Sequence, residues 1–266
     1  MNRHYIIDSR SPPARQITID PYAMTLPDSK ALSAGRDWLE GLGFNLCAVL
    51  DVETFSGELR GAFTAARAIP GPDERLVVLG MAGSAMWTHL EERSSGADHP
   101  FDDFSREAAL SVSRRFWGDP SPRILYPGVL PIPLQQLGRV AGWACPSPLG
   151  LDISPVYGPW FAYRAVFFVK SPLPFTSVDT AQSPCRSCET KPCVTACPAG
   201  AVHSEGAFQL DACLTQRIED PSGCGMRCRS RLACPVGAEY RYSEAQLDYH
   251  GQRSLDALKR WYAEKS

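Results

Sequence analysis

A cysteine-rich stretch of the chain reads Cys185-x2-Cys188-x4-Cys193-x3-Cys197-Pro198, then Cys213, Cys224-x3-Cys228 and Cys234-Pro235. Eight of the ten cysteines in the chain lie in this stretch. Thiols at such short spacings are typical of metal sites when the protein resides in a reducing compartment. The stretch therefore predicts a compact metal-binding unit, and the remaining sequence is interpreted relative to it.

Two iron–sulfur cubanes fit the number of thiols and the closing Cys-Pro pairs. A 4Fe-4S cluster needs four thiolates, and in two-cluster ferredoxins the fourth cysteine of a run binds the neighbouring cluster. The spacing here is longer than in the ferredoxin run between Cys188 and Cys193, and also between Cys228 and Cys234. By this exchange rule the two predicted ligand sets are Cys185, Cys188, Cys193 with Cys234, and Cys197, Cys213, Cys224 with Cys228.

Zinc and disulfide bonds are the competing interpretations of these cysteines. Zinc sites more often use paired Cys-x2-Cys motifs without the trailing Cys-Pro. Disulfides need an oxidising compartment, and the first residues, 1–5, lack the apolar core of a secretory signal. We therefore favour iron–sulfur clusters and a cytoplasmic location, and we expect Cys47, within an apolar run, to be a small core residue.

Composition and length limit the remaining possibilities. The 266 residues suffice for one sizeable domain and a smaller unit. The 27 basic and 29 acidic residues leave a net charge of −2, so no general attraction to nucleic acid or anionic membrane is expected. No apolar stretch approaches the roughly 20 residues of a membrane helix. Arg227, Arg229 and Arg231 form a local basic strip, interpreted as a solvated face or as charge that balances a reduced cluster.

Hydrophobic periodicity and turn residues predict the order of elements in the larger unit. Strand 44–52 is almost continuously apolar, which indicates a sheet covered on both faces. The proline-rich segment 118–133 is expected to be a loop, and the small-residue turn 81–86 is a weak candidate for ligand binding. Helices are predicted over 30–41, 57–68, 104–117 and 134–143, and strands over 44–52, 75–80 and the last part of 156–169.

The chain is divided at Pro172-Leu173-Pro174, just before the cysteine-rich stretch. An apolar stripe of Leu247, Leu255, Leu258 and Tyr262 predicts that the C-terminal helix packs back on the body. The predicted units are an extended N-terminal arm (1–28), an α/β core (29–174), a two-cluster unit (175–240) and a helical tail (241–266).

Three segments, 138–143, 153–161 and 213–219, give the chain a resemblance to a known family. Together with the cysteine spacing they resemble the epoxyqueuosine reductases and their relatives, the reductive dehalogenases. Segments 99–102, 122–125 and 158–164 are similar to cobalamin-processing proteins of the CblC type. The resemblance implies an α+β chain with a nitroreductase-like (cobalamin reductase-like) α/β core that binds a corrinoid, followed by a bacterial-type two-cluster ferredoxin domain.

The same resemblance suggests where a corrinoid would bind and which activity is in question. Epoxyqueuosine reductases use an aspartate proton donor, but the matching stretch around Tyr126 has no carboxylate, and reduction of an epoxide needs a proton for the leaving oxygen. Tyr126 is the candidate replacement, since reductive dehalogenases use a tyrosine. The sequence also lacks the C-terminal helical-repeat domain that grips tRNA in those enzymes, which argues against a tRNA substrate. The candidate cofactor-binding residues are Trp143, Tyr157, Trp160, Phe161 and Tyr163, although aromatic residues beside a strand are often core residues.

The leading hypothesis is an oxidoreductase that passes single electrons through two 4Fe-4S clusters to cobalamin, either to remove an upper ligand or to drive a reduction. Its expected partners are a redox protein of the ferredoxin or flavodoxin reductase type and a corrinoid or other small molecule. Binding to a membrane is not expected. One rival is a ferredoxin-type electron carrier without a substrate of its own. Another places FMN in the same core.

Overall fold

The computed structural model of the chain describes residues 28–91, 98–178 and 182–265. The arm expected over 1–28 lies outside these residues, apart from Asp28 at the start of the first helix. The helices are α1 (Asp28–Glu40), α2 (Gly57–Ala65), α3 (Ala85–Glu91), α4 (Pro100–Phe116), α5 (Leu134–Val140), α6 (Pro192–Thr195), α7 (Leu210–Glu219), α8 (Arg229–Leu232) and α9 (Glu244–Lys265). The strands are β1 (Leu46–Leu50), β2 (Glu74–Ala82), β3 (Arg123–Tyr126), β4 (Cys145–Pro146), β5 (Asp152–Ile153) and β6 (Phe161–Lys170).

Four strands form an antiparallel sheet in the order β1-β2-β6-β3. The two inner strands, β2 and β6, are the long apolar runs of the sequence, and Val77 pairs with Phe167 near their middle. Strands β4 and β5 form a separate two-stranded ladder that follows α5. The apolar segments 44–52 and 75–80 therefore do contain strands, as the periodicity predicted.

Helices cover both faces of the four-stranded sheet. On one face, Val77, Leu79 and Met81 pack with side chains of α1, α3 and α4. On the other face, Leu76 and Val78 pack with side chains of α2 and α5. Because successive side chains of a strand point to opposite faces, a strand covered on both faces must be apolar at nearly every position. This explains the continuous apolar run predicted for β1.

The structure differs from the sequence-based expectation in segment 118–133, which contains strand β3. Among the described residues, this edge strand pairs with β6 alone. Pro122 and Pro127 stand just outside the paired residues, as prolines at an edge strand do. Leu125 is buried on the sheet face that α2 and α5 cover, and Arg123 donates a 2.6 Å hydrogen bond to Glu74 of β2. These long-range contacts form the strand, and none of them is visible in the local sequence pattern.

Helix α9 extends along both the sheet domain and the cysteine-rich region. Leu255 and Leu258 are buried as the apolar stripe predicted, whereas Tyr262 is 37% exposed. Near its start, the Oγ of Ser84 donates a hydrogen bond of 2.8 Å to Gln246. Gly251 lies so close to the cysteine-rich region that a Cβ at this position would overlap the carbonyl oxygen of Met226.

The cysteine-rich region meets the core where two backbone turns touch. Gly158 and Gly237 both have positive φ, of 58° and 65°. A Cβ on Gly158 would overlap the carbonyl oxygen of Val236, and a Cβ on Gly237 would overlap the carbonyl group of Tyr157. Glycine is therefore needed at both positions, for the left-handed conformation and for the close approach of the two backbone segments. Cys234 lies three residues before this contact.

Substitution of Gly158 by alanine tests this contact. A left-handed backbone alone costs alanine about 1–2 kcal/mol, and Gly118, with φ of 73° and no atom within 4 Å of an added Cβ, measures that cost by itself. We expect Gly158→Ala to lower the free energy of unfolding in urea by clearly more than Gly118→Ala does. Equal losses for the two variants would show that the two turns can separate without cost.

Candidate functional site

The first thiol set consists of four cysteines around a small cavity beside the core. Cys193 belongs to α6, and Cys234 comes from the turn after α8. The buried residues Leu149 and Ile153 also line this cavity. The members of the set are Cys185, Cys188, Cys193 and Cys234.

The second thiol set surrounds a neighbouring cavity of about 550 Å³. Its members are Cys197, Cys213, Cys224 and Cys228. The sulfur of Cys197 accepts a hydrogen bond from the backbone N–H of Ala201 at 3.3 Å, and the sulfur of Cys228 accepts one from Arg231 at 3.4 Å. Backbone N–H groups directed at sulfur are among the contacts that tune iron–sulfur clusters.

The electrostatics of the thiols follow the same grouping. The pKa of Cys185 is raised, first by burial and then by the nearby charges of Cys234, Cys193 and Cys188. In the second set, the pKa of Cys213 is raised first by burial and then by Cys228, Cys224 and Cys197, while Arg217 opposes the shift. The structure therefore brings together the same two groups of four that the exchange rule assigned. What they bind stays a prediction.

The donor chemistry of each set fits a cubane. Each cavity is lined by four thiols, and a 4Fe-4S cluster takes one thiolate per iron. Among residues 28–91, 98–178 and 182–265, no three His, Cys, Asp or Glu side chains form a group that could hold a single metal ion. The thiols surround cavities instead of converging on one point.

A third cavity of about 440 Å³, the aromatic cavity, opens beside β6 and contains three of the predicted site residues. Tyr126, Phe161 and Tyr163 line it. Burial raises the pKa of Tyr126, the charge of Asp102 adds to the shift, and Arg164 opposes it. The Tyr126 phenol is therefore protonated at neutral pH and can donate a hydrogen bond into the cavity.

The other three predicted cofactor contacts lie behind or beside this cavity. Trp143 stacks on the ring of Tyr163 with centroids 6.5 Å apart, so it supports the wall without lining it. Tyr157 packs edge-on against Tyr240 at the contact between core and cysteine-rich region. Trp160 is fully buried and lines the cavity of the second thiol set instead.

An ion pair at the edge of the aromatic cavity was not identified from the sequence. Asp152 of β5 is 5% exposed, and its carboxylate accepts hydrogen bonds of 2.7, 3.1 and 3.2 Å from Arg139 of α5. The hydroxyl of Tyr163 is 3.5 Å from the same carboxylate. The arginine neutralises the carboxylate and fixes the two elements relative to each other. The only sequence signal was one acidic and one basic residue on either side of Gly142-Trp143.

His250 is a second residue that sequence reasoning missed, because it lies on α9, far along the chain from the core. Its ring is 4.9 Å from the ring of Phe101 and 5.9 Å from that of Tyr242. Burial lowers its pKa to about 3, and the positive charges of Arg164, Arg231 and Arg253 add to the shift. The imidazole is therefore neutral in the folded protein.

The cavity of the second thiol set adjoins both of the other cavities. Leu149 lines the cavities of both thiol sets. Arg231, Tyr242 and His250 line both the cavity of the second set and the aromatic cavity. The second thiol set therefore shares a wall with the aromatic cavity.

The small-residue turn 81–86, the weak ligand candidate of the sequence, is covered by the chain itself. Gly83 faces the side chain of Tyr240, and the hydroxyl of Ser84 donates a hydrogen bond to Gln246 of α9.

In the described ranges, no helix combines the length and apolar character required to span a membrane.

Comparisons with known proteins give a likeness of fold. No protein-family model and no curated protein matches the sequence. An epoxyqueuosine reductase, solved with a tRNA-Tyr epoxyqueuosine-modified stem loop, is 15% identical with a TM-score of 0.54 over 82% of this chain and 68% of its own. The epoxyqueuosine reductase of Bacillus subtilis is 14% identical, with a TM-score of 0.52 over 79% and 66%. The B12-trafficking protein CblC of C. elegans is 14% identical, with a TM-score of 0.45 over 87% and 97%.

Epoxyqueuosine reductases, one of the groups that the sequence resembles, are thus structural neighbours of this chain. The chain has a mixed α/β fold similar to that of epoxyqueuosine reductase. At these identities the likeness concerns the fold alone.

The buried neutral His250 predicts a loss of stability in acid. Because its folded pKa is lowered below the ordinary value of 6.5, the unfolded chain binds a proton between about pH 6.5 and 3 that the folded chain does not. Stability should therefore fall as the pH decreases below 6.5, by at most about 1.4 kcal/mol per pH unit from this group. The variant His250→Phe should flatten this part of the curve when urea midpoints are compared at pH 7 and pH 5.

His89, exposed on α3, provides the control. The variant His89→Gln should keep the acid dependence of the original protein. If His250→Phe loses stability with falling pH as steeply as His89→Gln does, the histidine is charged in the folded state.

Proposed function

We propose that this protein is an iron–sulfur oxidoreductase that passes single electrons, through two 4Fe-4S clusters held by the two thiol sets, to a corrinoid in the aromatic cavity. The observation that carries the proposal is the arrangement of eight thiols in two groups of four, with the second group next to that cavity. Residues 29–174 would form a nitroreductase-like core, and 175–240 a ferredoxin-like unit. The tail, 241–266, joins them.

The thiols support the first half of the proposal. Each set contributes soft sulfur ligands in the number that a cubane needs, and each takes three cysteines from one part of the stretch and one from the other. In the second set, Ala201 and Arg231 donate backbone hydrogen bonds to sulfur. Clusters in these sites would supply one-electron transfer, and a corrinoid would supply the organometallic chemistry.

The wall shared by the second thiol set and the aromatic cavity supports the direction of transfer. Electrons would leave from the second set, which adjoins that cavity, and would enter at the first set. A one-electron donor of the ferredoxin or flavodoxin reductase type would provide them in the cytoplasm. The shared wall of Arg231, Tyr242 and His250 is then the last protein barrier before the cofactor.

The aromatic cavity supports the second half of the proposal. Phe161 and Tyr163 offer apolar ring surface, and β6 supplies a rigid floor for a large planar cofactor. Tyr126 presents a protonated phenol, and we assign it the role of proton donor where the reduction requires one. Asp152 accepts the hydrogen bonds of Arg139, and Tyr126 is the residue that the resemblance to reductive dehalogenases identifies. The proposal is therefore a cobalamin reduction, upper-ligand removal or other corrinoid-dependent reduction, and not reduction of the epoxide in a tRNA.

Metal analysis of protein purified without oxygen tests the clusters. We expect about eight irons and eight sulfides per chain. Zinc in place of iron, or disulfide-bonded cysteines, would contradict the proposal.

Single cysteine variants test the exchange of ligands between the two runs. Cys197→Ala should remove iron from the cluster that also uses Cys213, Cys224 and Cys228, although Cys197 belongs to the first run. Cys193→Ala should affect the other cluster, and Cys47→Ala, in a strand of the core, is the control that keeps both. Electron paramagnetic resonance of the reduced variants distinguishes the two clusters. If Cys197→Ala and Cys193→Ala abolish the same signal, the assignment is wrong.

Titration with cob(II)alamin, and separately with FMN, identifies the cofactor. Binding of cob(II)alamin in the aromatic cavity should change its spectrum to the base-off form, and Tyr163→Ala should weaken this binding by removing ring surface. A spectral change only with FMN would favour the flavin alternative. No change with either would leave an electron carrier of the ferredoxin type.

A further inference from the structure

Arg231 is in contact with both the second thiol set and the aromatic cavity. Its backbone N–H donates a hydrogen bond of 3.4 Å to the sulfur of Cys228. Its side chain belongs to the wall shared by the two cavities. A single residue thus bridges the proposed electron source and the proposed acceptor.

The position of the guanidinium is fixed by several contacts. Its Nε and Nη2 atoms donate hydrogen bonds of 3.2 and 2.7 Å to the carbonyl oxygen of Pro159. The group also lies 4.6 Å from the ring centre of Trp160 and 5.0 Å from that of Tyr242. Since Trp160 is fully buried, the charge is held on a rigid surface.

Arg231 differs from the other two arginines of the basic strip in its partners. Arg227 forms a 2.7 Å ion pair with Asp248, and Arg229 is 3.6 Å from Asp220. Within the described parts of the chain, Arg231 has no carboxylate within ion-pair distance. Its positive charge is therefore not compensated locally.

We propose that the positive charge of Arg231 favours the reduced state of the cluster of the second thiol set. The inference rests on the proposed function. Reduction adds one electron, and hence one negative charge, to a cluster, and a fixed positive charge in a partly buried site favours that state. The midpoint potential of this cluster, beside the aromatic cavity, is therefore higher with Arg231 than without it.

Other charges act on both sets. Near the first set, Lys191 lines the cavity and the exposed Arg241 acts on Cys234. Near the second set, Asp220 faces Cys224, Arg229 offsets part of its charge and Arg217 acts on Cys213. Arg231 differs from these groups because its side chain lines both the cavity of the second set and the aromatic cavity.

A redox titration followed by electron paramagnetic resonance tests the proposal on the full chain with both clusters assembled. Arg231→Gln removes the charge but retains an amide that can donate to Pro159, and Arg231→Lys retains the charge. We expect Arg231→Gln to lower the midpoint potential of the second cluster and to leave that of the first unchanged. Arg231→Lys should restore most of the loss, and Arg60→Gln, exposed on α2 of the core, should leave both potentials unchanged.

The variant Cys213→Ser identifies which midpoint belongs to the second set, because a changed ligand alters the signal of that cluster alone. The proposal is overturned if Arg231→Gln shifts neither potential, shifts both equally or shifts only the first. It is also overturned if Arg231→Lys behaves like Arg231→Gln. Failure of the proposed function can be told apart from these outcomes, because a chain without iron gives no signal in any variant.

Discussion

The close approach of two backbone turns is the constraint on which the site depends. Gly158 and Gly237 let the loop before β6 touch the turn after Cys234 without any side chain between them. The contact aligns the cysteine-rich region with the end of the sheet, so that Arg231 reaches Pro159 and the second thiol set adjoins the aromatic cavity. A larger residue at either glycine would separate the second thiol set from the aromatic cavity, and the proposed electron transfer depends on their spacing.

The parts of the fold that were predictable from sequence are those with strong local patterns. β2 and β6 are long apolar runs, as expected for strands that are covered on both faces of the sheet, and they are its two inner strands. β3 was not predictable, because its pairing with β6 and the contact of Arg123 with Glu74 are long-range. The apolar stripe of α9 indicated Leu255 and Leu258 correctly, but Tyr262, also on the stripe, is exposed.

The candidate site shows the same division. The two groups of thiols in the structure are those that the ligand exchange of two-cluster ferredoxins assigns from the spacing. The aromatic residues follow no such rule: Phe161 and Tyr163 line a cavity, while Trp160, in the same segment, is buried beside the second thiol set. The pair of Asp152 and Arg139, and the ring of His250, come together only through the packing of α5, β5 and α9. Sequence reasoning can identify cofactor ligands with rigid spacing more readily than residues assembled by tertiary contacts.

The position of α9 has a consequence for the order of events during synthesis. All eight clustered cysteines precede this helix in the chain, yet His250 and Gly251 of the helix close the cavity of the second set. As the chain leaves the ribosome from its N-terminus, the thiols emerge before the helix that covers them. The thiols of the second set are therefore accessible from solvent until this helix folds against their cavity.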